Sequence, residues 1–305
     1  MNASRQAIRT DLQPLRGLTT LLSALLVGVM LSSCRATPAG FLQKHPNVEA
    51  FNFQVSLGLN QYQIAGYLAR SPEAGRLPAL LVLSGDGDSA ERCIDANAAV
   101  VAMGIHVACV SIPGYGRSSG PSRFVGPQTV AASRRALDLL AARPEVDPSK
   151  MAVWGSGDGA LAAGLLMDYD SRPRALILQS GAYDLQKLWR QAPIATKLAI
   201  IHQVWPSKRA LSERSVIQHL PQKLDCSVLI LHGQGDRAMP VSQAVQLASA
   251  LRERGAHVET RYYPNASHRI AKRVIEPELQ AFLRENLLQT ARAADQPQSD
   301  TAASN

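Results

Sequence analysis

Short apolar runs alternate with amphipathic stretches through most of the chain, and the two periods predict strands and helices in turn. The run at Leu80, Val82 and Leu83 predicts a buried strand, Ala90 to Met103 a helix, Val107 to Ile112 a second strand, and Thr129 to Ala142 a second helix. Further strands are expected at Met151 to Trp154, Ala175 to Leu178, Val228 to Leu231 and Val258 to Tyr263, with helices at Ala160 to Met167 and Gln243 to Arg254. Strands apolar on both sides, separated by helices, predict a mostly parallel sheet covered on both faces. Ahead of them, Phe51 to Val55 and Tyr62 to Leu68 predict an antiparallel hairpin at one edge. Leu185 to Lys223 interrupts the rhythm with helical content and two tryptophans, which is where a short helical cap would sit.

The pattern is different at the two ends. Arg5, Arg9 and Arg16 precede an uncharged apolar run from Leu18 to Leu31, the layout of an export signal. The run closes on Leu31-Ser32-Ser33-Cys34, which resembles the lipobox of bacterial lipoproteins, in which the cysteine is acylated and becomes the mature N-terminus. That resemblance implies a signal at residues 1–33 and membrane lipid as a partner through Cys34. It also implies an envelope location, with Arg35 pointing to the outer membrane in a Gram-negative cell. Residues 35–49 are then expected as linker, 50–288 as one domain with its cap at about 185–223, and the polar, Ala-rich 289–305 as a disordered tail.

The net charge of +8 changes little in this picture, because its clusters, such as Lys208-Arg209 and Arg134-Arg135, lack interleaved aromatics. They predict a solvated surface and no nucleic-acid partner. With Cys34 acylated, Cys93, Cys109 and Cys226 remain, an odd number that leaves at least one unpaired. The apolar settings of Cys109 and Cys226 predict buried free thiols, and no CxxC spacing suggests a metal.

The turns that follow the strands carry a resemblance. Ser84-Gly85-Asp86-Gly87, Pro113-Gly114-Tyr115-Gly116-Arg117-Ser118 and Trp154-Gly155-Ser156-Gly157-Asp158-Gly159 resemble the loops of an α/β hydrolase. Downstream, His232-Gly233-Gln234-Gly235-Asp236 through Pro240 resembles the family's acid loop, and Ala266-Ser267-His268 resembles its histidine loop. Phe124 to Pro127 and the Trp-Gly turn are similar to the prolyl-oligopeptidase-like and dienelactone-hydrolase-like esterases. The resemblance implies a doubly wound, mostly parallel α/β-hydrolase sheet with a short helical cap, no cofactor, and an acyl ester or peptide as ligand.

It also implies residue roles. A nucleophile elbow requires small residues two before and two after the nucleophile, and Gly155 and Gly159 meet that need around Gly157. Glycine has no oxygen with which to form an acyl-enzyme, so the chain is expected to be inactive or weakly active on acyl esters and to bind a small molecule or peptide. Asp236 and His268 occupy the acid and base positions, and the backbone near Gly85, Asp86 and Asp158 is expected to form the oxyanion hole. Of the other histidines, His232 is assigned to a turn, His106 and His257 to strand starts, His202 and His219 to the cap, and His45 to the stretch before the domain. Two alternatives stay open. Ser156 could act as nucleophile with His268 and Asp236, or Asp158 could supply a carboxylate nucleophile between the small residues Ser156 and Ala160.

Overall fold

The computed structural model describes residues 39–85 and 87–289. The export segment, Cys34, Asp86 and residues 290–305 lie outside the described residues. An eight-stranded sheet forms the centre, in the order β1-β4-β6-β5-β7-β8-β9-β10. Its strands are β1 (Val48–Ala50), β4 (Gly66–Ala69), β5 (Leu77–Ser84), β6 (His106–Ser111), β7 (Val146–Ser156), β8 (Ala175–Gln179), β9 (Ser227–Gly233) and β10 (His257–Tyr263). Strands β5 to β10 pair in parallel, and β1 and β4 are antiparallel at one edge. This is the fold of an α/β hydrolase.

Alternate residues of each strand enter two cores, as a doubly wound sheet requires. Leu81, Leu83, Val153, Leu178 and Ile230 face one side, covered by α4 (Pro127–Ala141), α5 (Asp158–Leu166) and α9 (Ser242–Arg252). Leu80, Val82, Ala152, Trp154 and Ile177 face the other, covered by α2 (Ala90–Ala96), α3 (Ala98–Val101) and α10 (Lys272–Leu283). The cap comprises α6 (Leu185–Gln191), α7 (Ile194–Gln203) and α8 (Lys208–Ser212). It is tied down where Gln203 Oε1 accepts from Ser122 Oγ at 2.7 Å and the Phe124 amide at 2.9 Å, and Arg214 Nε donates to the Arg123 carbonyl at 3.2 Å. Helix α7 nonetheless leaves Ile194, Leu198 and Ile201 exposed.

Several expectations are corrected here. The stretch 39–49, read as linker, carries helix α1 (Ala39–Lys44) and most of β1, which pairs with β4 and so belongs to the sheet. The edge hairpin is shifted: β2 (Phe53–Leu57) and β3 (Asn60–Ile64) form their own two-stranded sheet, and the backbone from Gly66 crosses into the main one. Gly66 makes that crossing possible, because an added Cβ would lie 2.9 Å from the carbonyls of Cys109 and Phe51. The helix expected over 90–103 breaks at Asn97, whose side-chain amide donates to the Cys93 carbonyl at 2.8 Å. Cys109 is not a free thiol: it is bonded to Cys93, joining α2 to β6, while Cys226 is free. Helix α10 was not foreseen, because Pro277 in its interior reads as a helix breaker.

Candidate active site

The first two parallel strands in the chain, β5 and β6, lie side by side, and β7 pairs on the other side of β5. Chain direction across the sheet therefore reverses about β5, and a doubly wound sheet opens its ligand crevice at the carboxyl ends of such strands. Gly85 follows β5 there, and Gly157 follows β7.

The turn at Gly157 is sharp. Its φ of 55° and ψ of −117° are left-handed, a region that side-chain-bearing residues occupy only under strain. Its amide donates to the Gln179 carbonyl at 2.9 Å, and its carbonyl accepts the amides of Ala160 and Leu161 at 3.1 Å, so the strand converts to α5 within one residue. The glycines on either side are required by crowding. An added Cβ on Gly155 would lie 2.0 Å from the Gly159 carbonyl oxygen, and one on Gly159 would lie 2.1 Å from the Leu83 carbonyl oxygen. Gly85 packs against the same helix start, since a Cβ there would be 3.1 Å from the Gly159 amide nitrogen. The amides of Asp158 and Gly159 thus begin α5 beside the loop after β5, a place that favours developing negative charge.

The acid and histidine loops are docked on each other by backbone. Gly235 N donates to the Ala266 carbonyl at 2.9 Å and Gln234 N to the Tyr263 carbonyl at 2.9 Å. Gly233 permits this approach: a Cβ there would lie 2.3 Å from the Ser267 carbonyl oxygen. The result brings His268 Nδ1 to 2.7 Å from Asp236 Oδ2. The other oxygen of Asp236 accepts the amides of Ala238 at 2.9 Å and Met239 at 2.8 Å. Burial alone would raise the Asp236 pKa, but the adjacent His232 and His268 rings and the Met239 amide outweigh it and hold the carboxyl well below the usual carboxylate range. His268 therefore has an ionised, immobile partner at Nδ1, which orients the ring and supports a positive charge on it.

His232 was misassigned by sequence. It lies in β9, not in a turn, and is fully buried. Its Nε2 donates to the Met239 carbonyl at 2.7 Å and stands 3.5 Å from Asp236 Oδ2, so it braces the acid loop from below.

Ser156 and Asp158 separate. Ser156 ends β7 on the same face as Trp154, and among the described residues no hydrogen bond joins it to His268. Asp158 opens α5, and its carboxylate accepts a hydrogen bond from the Tyr115 hydroxyl. That hydroxyl offsets part of the repulsion expected between the Asp158 carboxylate and an anion at the helix start. In sequence Tyr115 reads only as part of a glycine-rich turn, and its link to Asp158 has no sequence signal. Asp86, assigned to the oxyanion region, lies outside the described residues.

A doubly wound sheet with a strand-to-helix elbow, an acid loop and a histidine loop defines the hydrolase class of α/β protein. The sequence profile of the prolyl oligopeptidase family matches residues 94–290, and the chain belongs to that family. An uncharacterized peptidase of Bacillus subtilis, YuxL, is 26% identical over 42% of this chain and 20% of its own. The acylamino-acid-releasing enzyme 2 of Oryza sativa is 28% identical over 69% of this chain and 30% of its own, so the chain spans less than a third of either relative. A puromycin-hydrolyzing peptidase of Mycobacterium tuberculosis superposes with a TM-score of 0.68 at 20% identity, over 79% of this chain and 39% of that one. Acetyl xylan esterase 1 of Thermoanaerobacterium superposes with a TM-score of 0.59 at 14% identity, over 81% of this chain and 91% of that one.

Proposed function

We propose that this chain is an exported, lipid-anchored member of the prolyl oligopeptidase family that keeps the acid and histidine of the relay and lacks the nucleophile. The observation carrying this reading is Gly157. It occupies the left-handed turn residue between β7 and α5, with Gly155 and Gly159 spaced around it as an elbow demands. A side-chain oxygen at that residue is what forms an acyl-enzyme, and glycine supplies none.

The remaining parts support binding and at most slow hydrolysis. The Asp158 amide, with an N–H near Gly85, can hold the carbonyl oxygen of an acyl ester or peptide at the start of α5. His268, held through Nδ1 by Asp236, can take a proton from water at Nε2 and direct it at that carbonyl. Such a one-step route forgoes the covalent intermediate and is correspondingly slow. The competing reading, a working carboxylesterase or peptidase that uses Ser156 with His268 and Asp236, requires Ser156 to leave the strand face it shares with Trp154.

Export is supported by the run ending at Cys34 and by the Cys93–Cys109 disulfide, a bond that persists in oxidising compartments. Acylation of Cys34 would hold the chain on a bilayer, at about 0.8 kcal/mol per buried CH₂. Among the described residues no helix is long and apolar enough to cross a membrane.

Two measurements test the reading. Metabolic palmitate labelling should mark the wild type and not Cys34→Ala; an unlabelled wild type refutes the anchor. A fluorophosphonate probe should leave the wild type unlabelled, whereas labelling abolished by Ser156→Ala would install the serine enzyme instead.

A further inference from the structure

A cavity of about 320 Å³ lies on the opposite side of the sheet from α5, between α2 and the start of α10, and Ser156 faces into it. Its floor is the end of three strands, with Val82 and Ser84 from β5, Trp154 and Ser156 from β7, and Gln179 from β8. Ile270 and Ile275 form an apolar wall. The relay does not use these residues.

Lys272 enters this cavity at the first position of α10. Its ammonium donates to Asn97 Oδ1 at 2.7 Å and lies 4.8 Å from the centre of the Trp154 ring. Asn97 is held in that orientation because its amide nitrogen is spent on the Cys93 carbonyl. Among the described residues no carboxylate forms an ion pair with Lys272, and Asp88 and Glu276 act on it only at longer range. Burial pushes its pKa down to about 8, against the opposing effect of Glu276 and Asp88.

Two more donors belong to residues that line the same space. Ser84 is 4% exposed and Trp154 6%, and among the described residues neither Ser84 Oγ nor Trp154 Nε1 has a hydrogen-bond partner. Each such buried group costs about 1–3 kcal/mol until an acceptor reaches it. An ammonium with one acceptor at Asn97, a hydroxyl and an indole N–H line one cavity and leave donors for a further acceptor. The rim adds Arg92 and Arg269, with Asp88 as the one acidic lining residue among those described.

We propose that this cavity is a binding site for a small organic monocarboxylate, whose carboxylate sits between Lys272, Ser84 and Trp154 and whose compact apolar body packs on Ile270 and Ile275. A carboxylate fits better than phosphate, because among the described residues Lys272 is the one cation beside Ser84 and Trp154, while Arg92 on the rim is paired with Asp88 at 3.4 Å. Neutral ligands of the same shape would leave the ammonium without its counter-ion. The site goes beyond the acyl chemistry proposed above and does not depend on whether Gly157 abolishes it.

The test is calorimetric titration of the purified full-length chain with benzoate, with its neutral isostere benzamide and with inorganic phosphate. Benzoate should bind at least about tenfold more tightly than benzamide, the equivalent of about 1.4 kcal/mol, and phosphate should bind more weakly than benzoate. Lys272→Met should abolish the preference for benzoate over benzamide, and Lys272→Arg should retain part of it. Equal binding of benzoate and benzamide to the wild type, no benzoate binding up to tens of millimolar, or phosphate binding tighter than benzoate would each overturn the proposal. These wild-type comparisons need no variant to fold.

Discussion

His268 Nδ1 lies 2.7 Å from Asp236 Oδ2, while the residue at the elbow, where a relay of this kind would deliver its effect, is Gly157 with no side chain. The pair is embedded in more structure than a chance contact needs. Asp236 accepts two backbone amides, its loop is braced by His232, and the histidine loop is bonded to it through Gly235. The Asp236–His268 pair is therefore built into the fold, whatever chemistry it serves.

That embedding makes Asp236 a stability group with a definite pH signature. Its folded-state pKa is depressed, so the stabilisation is present above the ordinary carboxylate value of about 4 and is lost as pH falls from there toward the lower folded value. Asp236→Asn should cost about 3 kcal/mol at pH 7. Between about pH 5 and pH 2 the unfolding midpoint should fall less steeply in this variant than in the wild type. Parallel pH profiles for the two proteins would show that the carboxylate contributes nothing special.

The elbow glycines are predicted to be intolerant for steric reasons alone. In Gly155→Ala the new methyl would meet backbone, the Gly159 carbonyl oxygen at 2.0 Å, which no side-chain rotation relieves. Overpacking of this kind costs about 3 kcal/mol, and denaturant unfolding should show a loss near that size. A loss below about 0.5 kcal/mol would mean that the strand and helix are not in contact as described.

Much of this was legible in the sequence, and the parts that were not share a cause. The strands were legible because each is an apolar run of strand length, and the sharp turn at Gly157 and the loop carrying Asp236 were legible because glycines recur at fixed spacing in them. His232 was misplaced because the strand end is fixed by register, with His232 opposite Tyr262 on β10, and register is a tertiary property. Helix α10 was hidden by Pro277, although Ile275, Leu279, Phe282 and Leu283 are its buried face. Lys272 had no signal, because its importance comes from Trp154, far away in the chain and beneath it in the fold.

The disulfide was also unreadable, since Cys93 sits on a helix and Cys109 on a strand, and only packing α2 on β6 brings them together. It closes a loop of 16 residues, so a reducing agent should destabilise the protein by about 3 kcal/mol. Unfolding followed with and without dithiothreitol measures this, with Cys93→Ala/Cys109→Ala as the constitutive comparison. If reduction leaves stability unchanged, the bond does not form in solution.

The central claim is that one missing hydroxyl separates this site from a working relay, and restoring it is the most direct test. In Gly157→Ser the new side chain would occupy a strained left-handed residue, and the Asp158 carboxylate stands near the anion it would have to stabilise, so a slow enzyme is expected. The measurement is p-nitrophenyl acetate turnover and fluorophosphonate labelling of the wild type, Gly157→Ser and Gly157→Ser/His268→Ala. The account predicts turnover at least about tenfold above wild type in the single variant, with covalent labelling, and loss of both when His268 is removed. A folded Gly157→Ser protein that neither labels nor turns over, or one whose activity is indifferent to His268, would contradict it.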